Sequence, residues 1–511
     1  MSMHAIPKGS TVAVIGSGAM GAGIAQVAAT AGHQVLLFDT RPDAADKAIA
    51  EIGKTYARLV EKGRMGAVES DLARERLQRI STLREAAGAV LVIEAIVEDL
   101  DAKRALFAEL EGIVGPTTIL ATNTSSISVT AIGARLKHPG RLAGMHFFNP
   151  VPLMALVEVV KGLATEPGVA DTVYATAESW GKSPVHASST PGFIVNRVAR
   201  PYYAEALRLL LEQAADVATL DAVMRDCGGF RMGPFELMDL IGHDVNFSVT
   251  SSVFAAYYND PRFTPSILQQ ELVNAGFLGR KTGRGFYRYG EDAARPAPQT
   301  EPACARPAAV RYAGAPGAID AMADRLRCAG FKLVAIEAAP GLYCEGAAIH
   351  LSDGRSATER AEMDGHRDTV LFDLLLDTAG ATRIALARAD QCGDAAWQAA
   401  VGLFQAAGFA VTRLDDVPGM AVMRTVAMLA NEAADAVNQG VCSALAVDIA
   451  MQKGVNYPRG PLAWLDAIGM RHVVAVLSNL AAAYGEDRYR VAPLLRRKLA
   501  ADPQGARFHA R

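Results

Sequence analysis

A short apolar strand that runs into a glycine-rich turn and a helix constrains the fold of this chain more than any other feature. The strand TVAVIG is followed by glycines at Gly16, Gly18 and Gly21 and then by the helical run AGIAQVAATAG. Gly16 allows a tight turn, Gly18 lets the backbone approach a diphosphate, and Gly21 lets the helix pack closely on the strand. The pattern is typical of a dinucleotide-binding βαβ unit, with the phosphates at the helix N-terminus. A tight turn without a ligand is the alternative.

An acidic residue at the end of the next strand indicates which dinucleotide is bound. Asp39 ends the strand QVLLFD, 18 residues after Gly21. At this place a carboxylate accepts hydrogen bonds from the adenosine ribose and repels a 2′-phosphate. Ala19 and Met20, at the start of the helix, complete the predicted phosphate site. NAD is therefore the predicted cofactor, although Arg41 nearby would weaken the discrimination against NADP.

Periodicity divides the 511 residues into four structured regions. Between residues 11 and 160, short β-rich runs alternate with helical stretches, which predicts a parallel sheet covered by helices. From Pro191 onward the runs are long and amphipathic, and no strand signal returns before about residue 285. The predicted fold is an α/β Rossmann-type dinucleotide-binding domain plus an all-α domain, followed by a degenerate α/β domain and a second all-α repeat. The predicted bounds are 1–190, 191–290, an Ala- and Pro-rich linker 291–309, 310–416 and 417–511.

The helical region occurs twice in the sequence. TPGFIVNRVARPYYAEAL near residue 190 is matched by VPGMAVMRTVAMLANEAA near residue 417, and GPFELMDLIG is matched in the same order by GPLAWLDAIG. This indicates duplication rather than chance similarity between Ala-rich helices. In the second copy Met423 takes the place of Asn196, and YAGAPG (312–317), the nearest counterpart of the glycine loop, has a proline in its turn. We interpret this half as a degenerate copy kept for architecture; a separate regulatory or ligand site is the alternative.

Four further motifs follow the first glycine loop: NTSS (123–126), HFFNPV (146–151), LVEVV (156–160) and PGFIVNR (191–197). In this order and spacing they resemble the 3-hydroxyacyl-CoA dehydrogenase family, over residues 11 to about 290 and more weakly near the C-terminus. The resemblance implies NAD-dependent oxidation of an (S)-3-hydroxyacyl-CoA to the 3-oxoacyl-CoA. The long form with a degenerate second half is similar to dehydrogenases of aromatic (phenylacetate) catabolism, which implies 3-hydroxyadipyl-CoA or 3-hydroxybutyryl-CoA as the substrate; the sequence leaves the preferred acyl chain open.

The chemistry of this reaction indicates which side chains act. Oxidation of a secondary alcohol needs a base for the hydroxyl proton, and an imidazole that titrates near neutrality suits that task. His146, at a strand end, is the candidate, and a core histidine is the alternative. Glu158 lies in an apolar strand, where an unpaired carboxylate would be costly. We predict that it pairs with His146 and orients the imidazole; a structural salt bridge is the alternative.

Two more catalytic residues are implied by the resemblance. Ser125 is implied to contact the substrate oxygen near the nicotinamide, although Ser125 or Ser126 would also suit a helix cap. Asn196 is implied to hold the reacting acyl group, and a structural hydrogen bond is the alternative.

Four residues are assigned to the cofactor site by the resemblance. Glu98 and Lys103 follow the strand AVLVIEAI, where α/β folds form their ligand crevice. Asn149 and Lys281 are implied to line the cofactor as well. Taken by itself, Lys103 would be a solvated helix residue. One helical stretch also carries basic residues that would meet the phosphates of coenzyme A or form a solvated face: Lys54, Arg58, Lys62 and Arg64.

Composition argues against several other classes of function. The chain has 51 basic and 54 acidic residues and no long run of one sign, so no nucleic-acid partner is predicted. The six cysteines lack CxxC spacing, so neither a disulfide framework nor a metal site is predicted. No apolar stretch reaches the roughly 18 residues that cross a bilayer, so no membrane contact and a cytoplasmic location are expected.

Two other functions stay open on the sequence alone. A hydroxyacid dehydrogenase with a non-CoA substrate would use the same fold. A non-catalytic dinucleotide-binding protein is the other alternative, against which the intact catalytic motifs argue. The duplication also predicts an internal pseudo-dimer, in which residues 192–290 pack against 418–500 in place of contacts between chains. Further homo-oligomerisation is left open.

Overall fold

The computed structural model describes residues 4–291, 293–315 and 317–509. Contacts between Cα atoms divide the chain into two compact units. The first comprises the residues up to Arg197 together with Gln439–Asn456. The second comprises Val198–Asn438 and the residues from Tyr457 onward. The strands and helices fall into the predicted classes, and the predicted fold class is confirmed.

The strands are β1 Thr11–Ile15, β2 Gln34–Phe38, β3 Leu77–Arg79, β4 Leu91–Glu94, β5 Ile119–Thr122, β6 Leu142–Phe147, β7 Leu156–Lys161, β8 Ser183–Ser188, β9 Val310–Ala313, β10 Leu333–Ala335, β11 Gly341–Cys344, β12 Ala347–Leu351, β13 Thr369–Phe372, β14 Arg383–Arg388 and β15 Ala410–Arg413.

The helices are α1 Ala19–Thr30, α2 Ala44–Glu61, α3 Ala67–Glu75, α4 Leu100–Glu111, α5 Val129–Gly133, α6 Pro167–Ser179, α7 Val195–Val198, α8 Arg200–Leu211, α9 Val217–Asp226, α10 Pro234–Ile241, α11 His243–Ala256, α12 Ile267–Asn274, α13 Ala318–Cys328, α14 Ala357–Asp364, α15 Asp394–Ala406, α16 Val422–Asn438, α17 Ala444–Gly454, α18 Pro461–Ile468, α19 Met470–Tyr484 and α20 Pro493–Ala501.

The first unit is built on an eight-stranded sheet with the order β3-β2-β1-β4-β5-β6-β7-β8. Every residue of the strands β4, β5 and β6 is buried, as expected for a sheet covered on both faces. The prediction of a wholly parallel sheet over residues 11–160 is wrong at β7, which runs antiparallel to β6. The connection 148–155 is too short for a crossover, which needs about a dozen residues or more, so the chain turns back directly.

A segment from the C-terminal half completes this first unit. Helix α17 packs against β7 and β8, and the carbonyls of Gly440 and Val441 accept hydrogen bonds from Ser188 at 3.0 and 2.8 Å. The side chain of Arg197 donates to Gln439 Oε1 at 2.9 Å. Sequence similarity places these residues in the second helical repeat, but their packing places them on the edge of the first sheet.

The second unit contains a seven-stranded sheet with the order β10-β9-β11-β12-β13-β14-β15. Four strands, β10, β13, β14 and β15, fall on the β-rich runs FKLVAIE (331–337), TVLFDLLLD (369–377), RIALARAD (383–390) and FAVTRLDD (409–416), which predict strands. Three more strands, β9, β11 and β12, were not predicted from the sequence. Strands β11 and β12 form an antiparallel hairpin, and β11 also runs antiparallel to its other neighbour, β9. In the first sheet the neighbouring strands β1 and β4 are parallel. The predicted replacement of the glycine turn by proline falls on Pro316, which lies outside the described residues.

The predicted linker contacts the second sheet in its described part. Residues 293–309 contain no helix or strand, yet Glu301 N–H donates to the carbonyl of Val411 at 2.8 Å. Gln299 accepts from Thr412 Oγ1 at 2.9 Å through its carbonyl. The lack of apolar periodicity therefore reflects an extended segment that lies along a sheet edge, not a free tether.

The first helix of each helical repeat packs against its counterpart within the second unit. Helices α8 and α16 are in contact, and Arg424 of α16 donates to Glu205 of α8 at 2.6 Å, with 0% and 1% of the two side chains exposed. The hydroxyl of Tyr489 donates to the same carboxylate at 2.9 Å. Burial acts to raise the pKa of Glu205, but the charges of Arg424, Arg488 and Arg208, together with the hydrogen bond from Arg424, outweigh it and lower that pKa.

In the described part of the chain, no single helix has the length and hydropathy of a membrane span. Helices α18 and α19 reach them only as a pair, and that pair is bent by 101°.

Candidate active site

The glycine turn between β1 and α1 has the geometry that the sequence predicts. Gly16 has φ +103°, and a Cβ there would overlap the carbonyl of Ala95, while one at Gly21 would overlap the carbonyl of Gly16. A Cβ at Gly18 would meet no atom within 4 Å. Gly16 and Gly21 are therefore required by backbone packing, whereas Gly18 leaves open space at the helix start. Helix α1 begins at Ala19 without a side-chain cap, so its first N–H groups are available to a phosphate.

The carboxylate of Asp39 lies beside this turn. It accepts hydrogen bonds from Ser17 N–H at 2.9 Å and Ser17 Oγ at 2.7 Å. Arg41 donates to it through Nε and Nη2, both at 3.1 Å. The hydrogen bond from Arg41 is the largest cause that holds the pKa of Asp39 well below its usual range. Asp39 is therefore ionised near neutral pH, and the charge of Arg41 is already paired.

A cleft of about 870 Å³ adjoins the turn and the ends of β1, β2 and β4. Gly16, Gly18 and Asp39 line it together with apolar side chains such as Ile96 and Leu106. Its volume lies within the range of about 300–1,000 Å³ that is common for small-molecule sites. The residues present therefore fit the adenosine end of a dinucleotide.

His146 and Glu158 form a buried pair across the antiparallel strands β6 and β7. The two residues are direct partners in the strand register, and His146 Nδ1 lies 2.7 Å from Glu158 Oε2. Their exposed fractions are 5% and 0%. The predicted pairing is therefore confirmed. An ionised carboxylate only accepts hydrogen bonds, so Nδ1 carries the proton and Nε2 keeps a lone pair that can accept one.

The other oxygen of Glu158 caps the start of α7. Glu158 Oε1 accepts hydrogen bonds from the N–H groups of Ile194 and Val195 at 3.0 and 2.9 Å. This contact fixes the motif that carries Asn196, whose Nδ2 lies 3.4 Å from the carbonyl of Ser125. One carboxylate thus holds the imidazole and also the backbone next to Asn196.

The NTSS loop that carries Ser125 is bound to Glu98. Glu98 Oε1 accepts hydrogen bonds from Thr124 Oγ1 at 2.6 Å and from the N–H groups of Ser125 and Ser126 at 2.9 and 3.0 Å. Burial acts to raise the pKa of Glu98, but the hydrogen bond from Thr124 and the charge of Lys103 bring it down to about 2. The alternative that Ser125 or Ser126 caps the next helix is wrong, because the cap of α5 is the serine at position 128.

A buried ion pair behind this loop was not found from the sequence. Lys103 Nζ donates to Glu94 Oε1 at 2.6 Å and lies 3.2 Å from Glu98 Oε2. Glu94 also accepts from Thr122 Oγ1 at 2.6 Å. Because Lys103 is 1% exposed, its interpretation as a solvated helix residue is wrong. The signal was available: Glu94 lies in an apolar strand, as Glu158 does, and needs a partner.

The remaining sequence-predicted residues are exposed. Asn149 is exposed after β6. Lys281 belongs to the second unit, where its Nζ is 2.5 and 2.7 Å from the carboxylate oxygens of Asp244. Lys54 forms an exposed pair with Glu51 at 2.6 Å. No group of three or more metal-ligating side chains is found among the described residues.

The second half retains a carboxylate that caps a helix, as Glu158 does, but that carboxylate has no histidine partner in the described residues. We call the His146–Glu158 pair the dyad. Asp373, which follows β13, accepts hydrogen bonds from the N–H groups of Ala421 and Val422 at 2.9 and 2.7 Å. These residues align with Ile194 and Val195 of the first repeat. Asp373 Oδ1 accepts from Met423 N–H at 2.9 Å, so each of its oxygens is occupied by backbone donors.

Comparisons with known proteins agree with this geometry. The family model described as 3-hydroxyacyl-CoA dehydrogenase, NAD binding domain, matches residues 11–190. The model of the C-terminal domain of the same family matches twice, over residues 192–289 and 419–508, which confirms the predicted duplication. A model described as a reduced Rossmann-fold domain of 3-hydroxybutyryl-CoA dehydrogenase matches residues 349–418.

Two relatives cover this chain over most of its length. The 3-hydroxyadipyl-CoA dehydrogenase of Escherichia coli K12 is 45% identical over 489 residues, which are 96% of this chain and 97% of that protein. A crystal structure of 3-hydroxybutyryl-CoA dehydrogenase from E. coli K12 has a TM-score of 0.89 at 43% identity and covers 97% of this chain and 99% of that one. A probable 3-hydroxybutyryl-CoA dehydrogenase of Bacillus subtilis is 43% identical over 280 residues, which are 55% of this chain and 97% of that protein.

The glycine turn, the ionised Asp39 and the His146–Glu158 pair lie in the region that the NAD-binding family model matches. The relatives favour neither a non-CoA substrate nor a protein without catalysis. The chain therefore belongs to the 3-hydroxyacyl-CoA dehydrogenase family and is an NAD-dependent oxidoreductase of 3-hydroxyacyl-CoA substrates.

Proposed function

We propose that this enzyme oxidises (S)-3-hydroxyadipyl-CoA to the 3-oxo product, with His146 as the base. The observation that carries the proposal is the 2.7 Å contact between His146 Nδ1 and Glu158. Because Nδ1 donates to the carboxylate, Nε2 accepts the proton of the substrate hydroxyl, and Glu158 stabilises the imidazolium that results. NAD, when bound, accepts the hydride that leaves C3 of the substrate.

The residues around the dyad have separate roles in this proposal. The Ser125 hydroxyl and the Asn196 amide bind the reacting end of the acyl group, and the backbone around Gly16, Gly18, Ala19, Met20 and Gly21 binds the diphosphate. Asp39 binds the adenosine ribose.

Glu98 and Lys103 line the cofactor site from behind the NTSS loop. Since Lys103 is held by two carboxylates, we assign it the positioning of Glu98 and, through Glu98, of Ser125. Asn149 and Lys281 are proposed to contact the cofactor directly, as their exposure allows.

The choice of acyl chain rests on the E. coli relative named for 3-hydroxyadipyl-CoA, which matches 96% of this chain. The similar crystal structure is named for the butyryl substrate. The adipyl and butyryl substrates must therefore be compared directly in the same assay. We expect NADH formation to have a higher kcat/KM with (S)-3-hydroxyadipyl-CoA than with the butyryl or hexanoyl substrate. A preference for the butyryl substrate would contradict the assignment of the chain length but not that of the dyad.

We further propose that the second half is non-catalytic and completes an internal pseudo-dimer. The domain bounds are proposed to be those predicted from the sequence. The proposed location of the enzyme is the cytoplasm. The buried Arg424–Glu205 pair between α8 and α16 supports the pseudo-dimer. The loss of the amide at Met423 supports a copy that packs without binding substrate. The segment Gln439–Asn456, which belongs to the first unit, supports the view that the catalytic domain needs the second half.

A further inference from the structure

The second unit contains a cavity of about 520 Å³ that the reaction does not use. It lies at the start of α13 and at the ends of β12 and β13, and residues of α18 and α19 close it. A cavity at the carboxyl ends of sheet strands is the usual place for a ligand in an α/β fold. The volume is within the range of small-molecule sites.

Most of the cavity wall is apolar. Leu351, Leu374 and Leu375 come from the degenerate sheet domain, and Trp464 and Ile468 come from α18. Trp464 aligns with Leu237 of the first repeat, so the second copy has a larger aromatic surface at this place. The transfer of an aliphatic or aromatic part of a ligand from water to such a wall is favourable.

The charges around the cavity favour an anion. Asp353 lines it, but Arg355 donates to Asp353 Oδ2 at 2.6 Å and Arg360 donates to the same oxygen at 3.2 Å. His472 also lines the cavity, and burial lowers its pKa, so the ring is neutral near pH 7. Arg459 is exposed at the wall, and no ion pair or hydrogen bond joins its side chain to another residue of the described chain.

The ring of His472 adds a hydrogen-bond acceptor. Its Nε2 lies 3.1 Å from the carbonyl of Ser352, and a carbonyl only accepts, so Nε2 carries the proton. In the neutral ring Nδ1 is then an acceptor.

We propose that this cavity is a second binding site, distinct from the dehydrogenase site, for an organic acid with an apolar chain. The carboxylate pairs with Arg459, and the chain packs on Trp464 and the leucines. A dinucleotide does not suit the site, because α13 follows a turn that lacks the three-glycine pattern of the first domain. The site therefore gives the degenerate half a ligand of its own, independent of the catalytic step.

Decanoate is the probe, because it combines one carboxylate with an apolar chain. We expect the full-length enzyme to bind it in a calorimetric titration and to show a change in Trp464 fluorescence, measured in a Trp180→Phe, Trp397→Phe background. Met232 occupies the position of Arg459 in the first repeat. Arg459→Met therefore removes the charge with a residue that the repeat accepts, and it should weaken decanoate binding at least tenfold. Ala467→Leu likewise introduces the residue of the first repeat, Leu240, and should abolish binding because it fills the cavity.

Arg497→Met is the matched control, since it removes an exposed arginine of α20 that does not line the cavity. Its affinity for decanoate should equal that of the wild type. Dehydrogenase activity without decanoate should stay unchanged in the three variants, which separates this proposal from that of the catalytic dyad. Absence of decanoate binding to the wild type, equal binding to Ala467→Leu, or displacement of decanoate by acyl-CoA in simple competition would each overturn the proposal.

Discussion

Glu158→Gln tests the role of the dyad at the level of a single proton. Glu158 Oε1 accepts two backbone N–H groups, from Ile194 and Val195. A glutamine must therefore turn its carbonyl oxygen toward these donors, because its NH₂ group would face two other donors. The NH₂ group then points at His146 Nδ1. That contact requires Nδ1 to accept, so the proton moves to Nε2 and the base loses its lone pair.

The expected loss is large because the wrong tautomer dominates in the neutral ring. In the serine-protease triad, the same carboxylate-to-amide change lowers kcat by about 10⁴ through the wrong tautomer, and a lost general base costs about 10²–10⁴. We expect kcat for NADH formation to fall within this range, with little change in NAD binding.

Asp373→Asn is the matched control in the second half. It is also a buried carboxylate that accepts the first N–H groups of a helix, but in the structure its hydrogen-bond partners are backbone groups rather than a histidine. Its kcat per folded enzyme should stay within about threefold of the wild type. The reasoning would be refuted if Glu158→Gln kept near-normal kcat, or if both variants lost activity equally.

Three further changes test other parts of the account. Asp39→Asn should raise the ratio of NADPH to NADH use by about 10- to 100-fold, because a charge-assisted hydrogen bond is lost and Arg41 becomes free for a 2′-phosphate; a wild type that already prefers NADPH would contradict this. Truncation after residue 290 removes Arg424 from Glu205 and should give dimers or aggregates in light scattering; a stable, fully active monomer would exclude the pseudo-dimer. Burial raises the pKa of Asp373 to about 6 from 3.8, so the folded chain binds this proton more tightly than the unfolded chain. Relative to Asp373→Asn, the unfolding free energy should therefore fall by roughly 2 kcal/mol as pH rises from 3.8 to 6, and a flat difference would contradict the assigned burial.

The catalytic pair was predictable because each residue type conflicts with its local surroundings. A histidine at a strand end and a glutamate inside an apolar strand both need partners, and the antiparallel register places them directly opposite. The same reasoning applied to Glu94 would have found Lys103. It was missed because Lys103 lies on a helix whose polar pattern predicts exposure, and only the packing of α4 buries it.

Other features depend on contacts that are distant in the sequence. Strands β11 and β12 are short, and their pairing is set by the hairpin between them rather than by periodicity. The segment Gln439–Asn456 matches the helical repeat in sequence, so no local signal shows that it packs on β7 and β8. Its assignment to the first unit follows from tertiary contacts alone.

The identity of the base is the central claim, and one measurement tests it most directly. NADH formation from (S)-3-hydroxyacyl-CoA is measured for the wild type, His146→Gln and His186→Gln, with NAD affinity and thermal stability measured alongside. His186 lies on β8, and its Nε2 is 3.6 Å from Asp171, so this variant removes a carboxylate-paired histidine outside the dyad. The account predicts that His146→Gln lowers kcat by about 10²–10⁴ with NAD binding intact, while His186→Gln keeps the wild-type kcat. Near-normal turnover by His146→Gln would contradict the account.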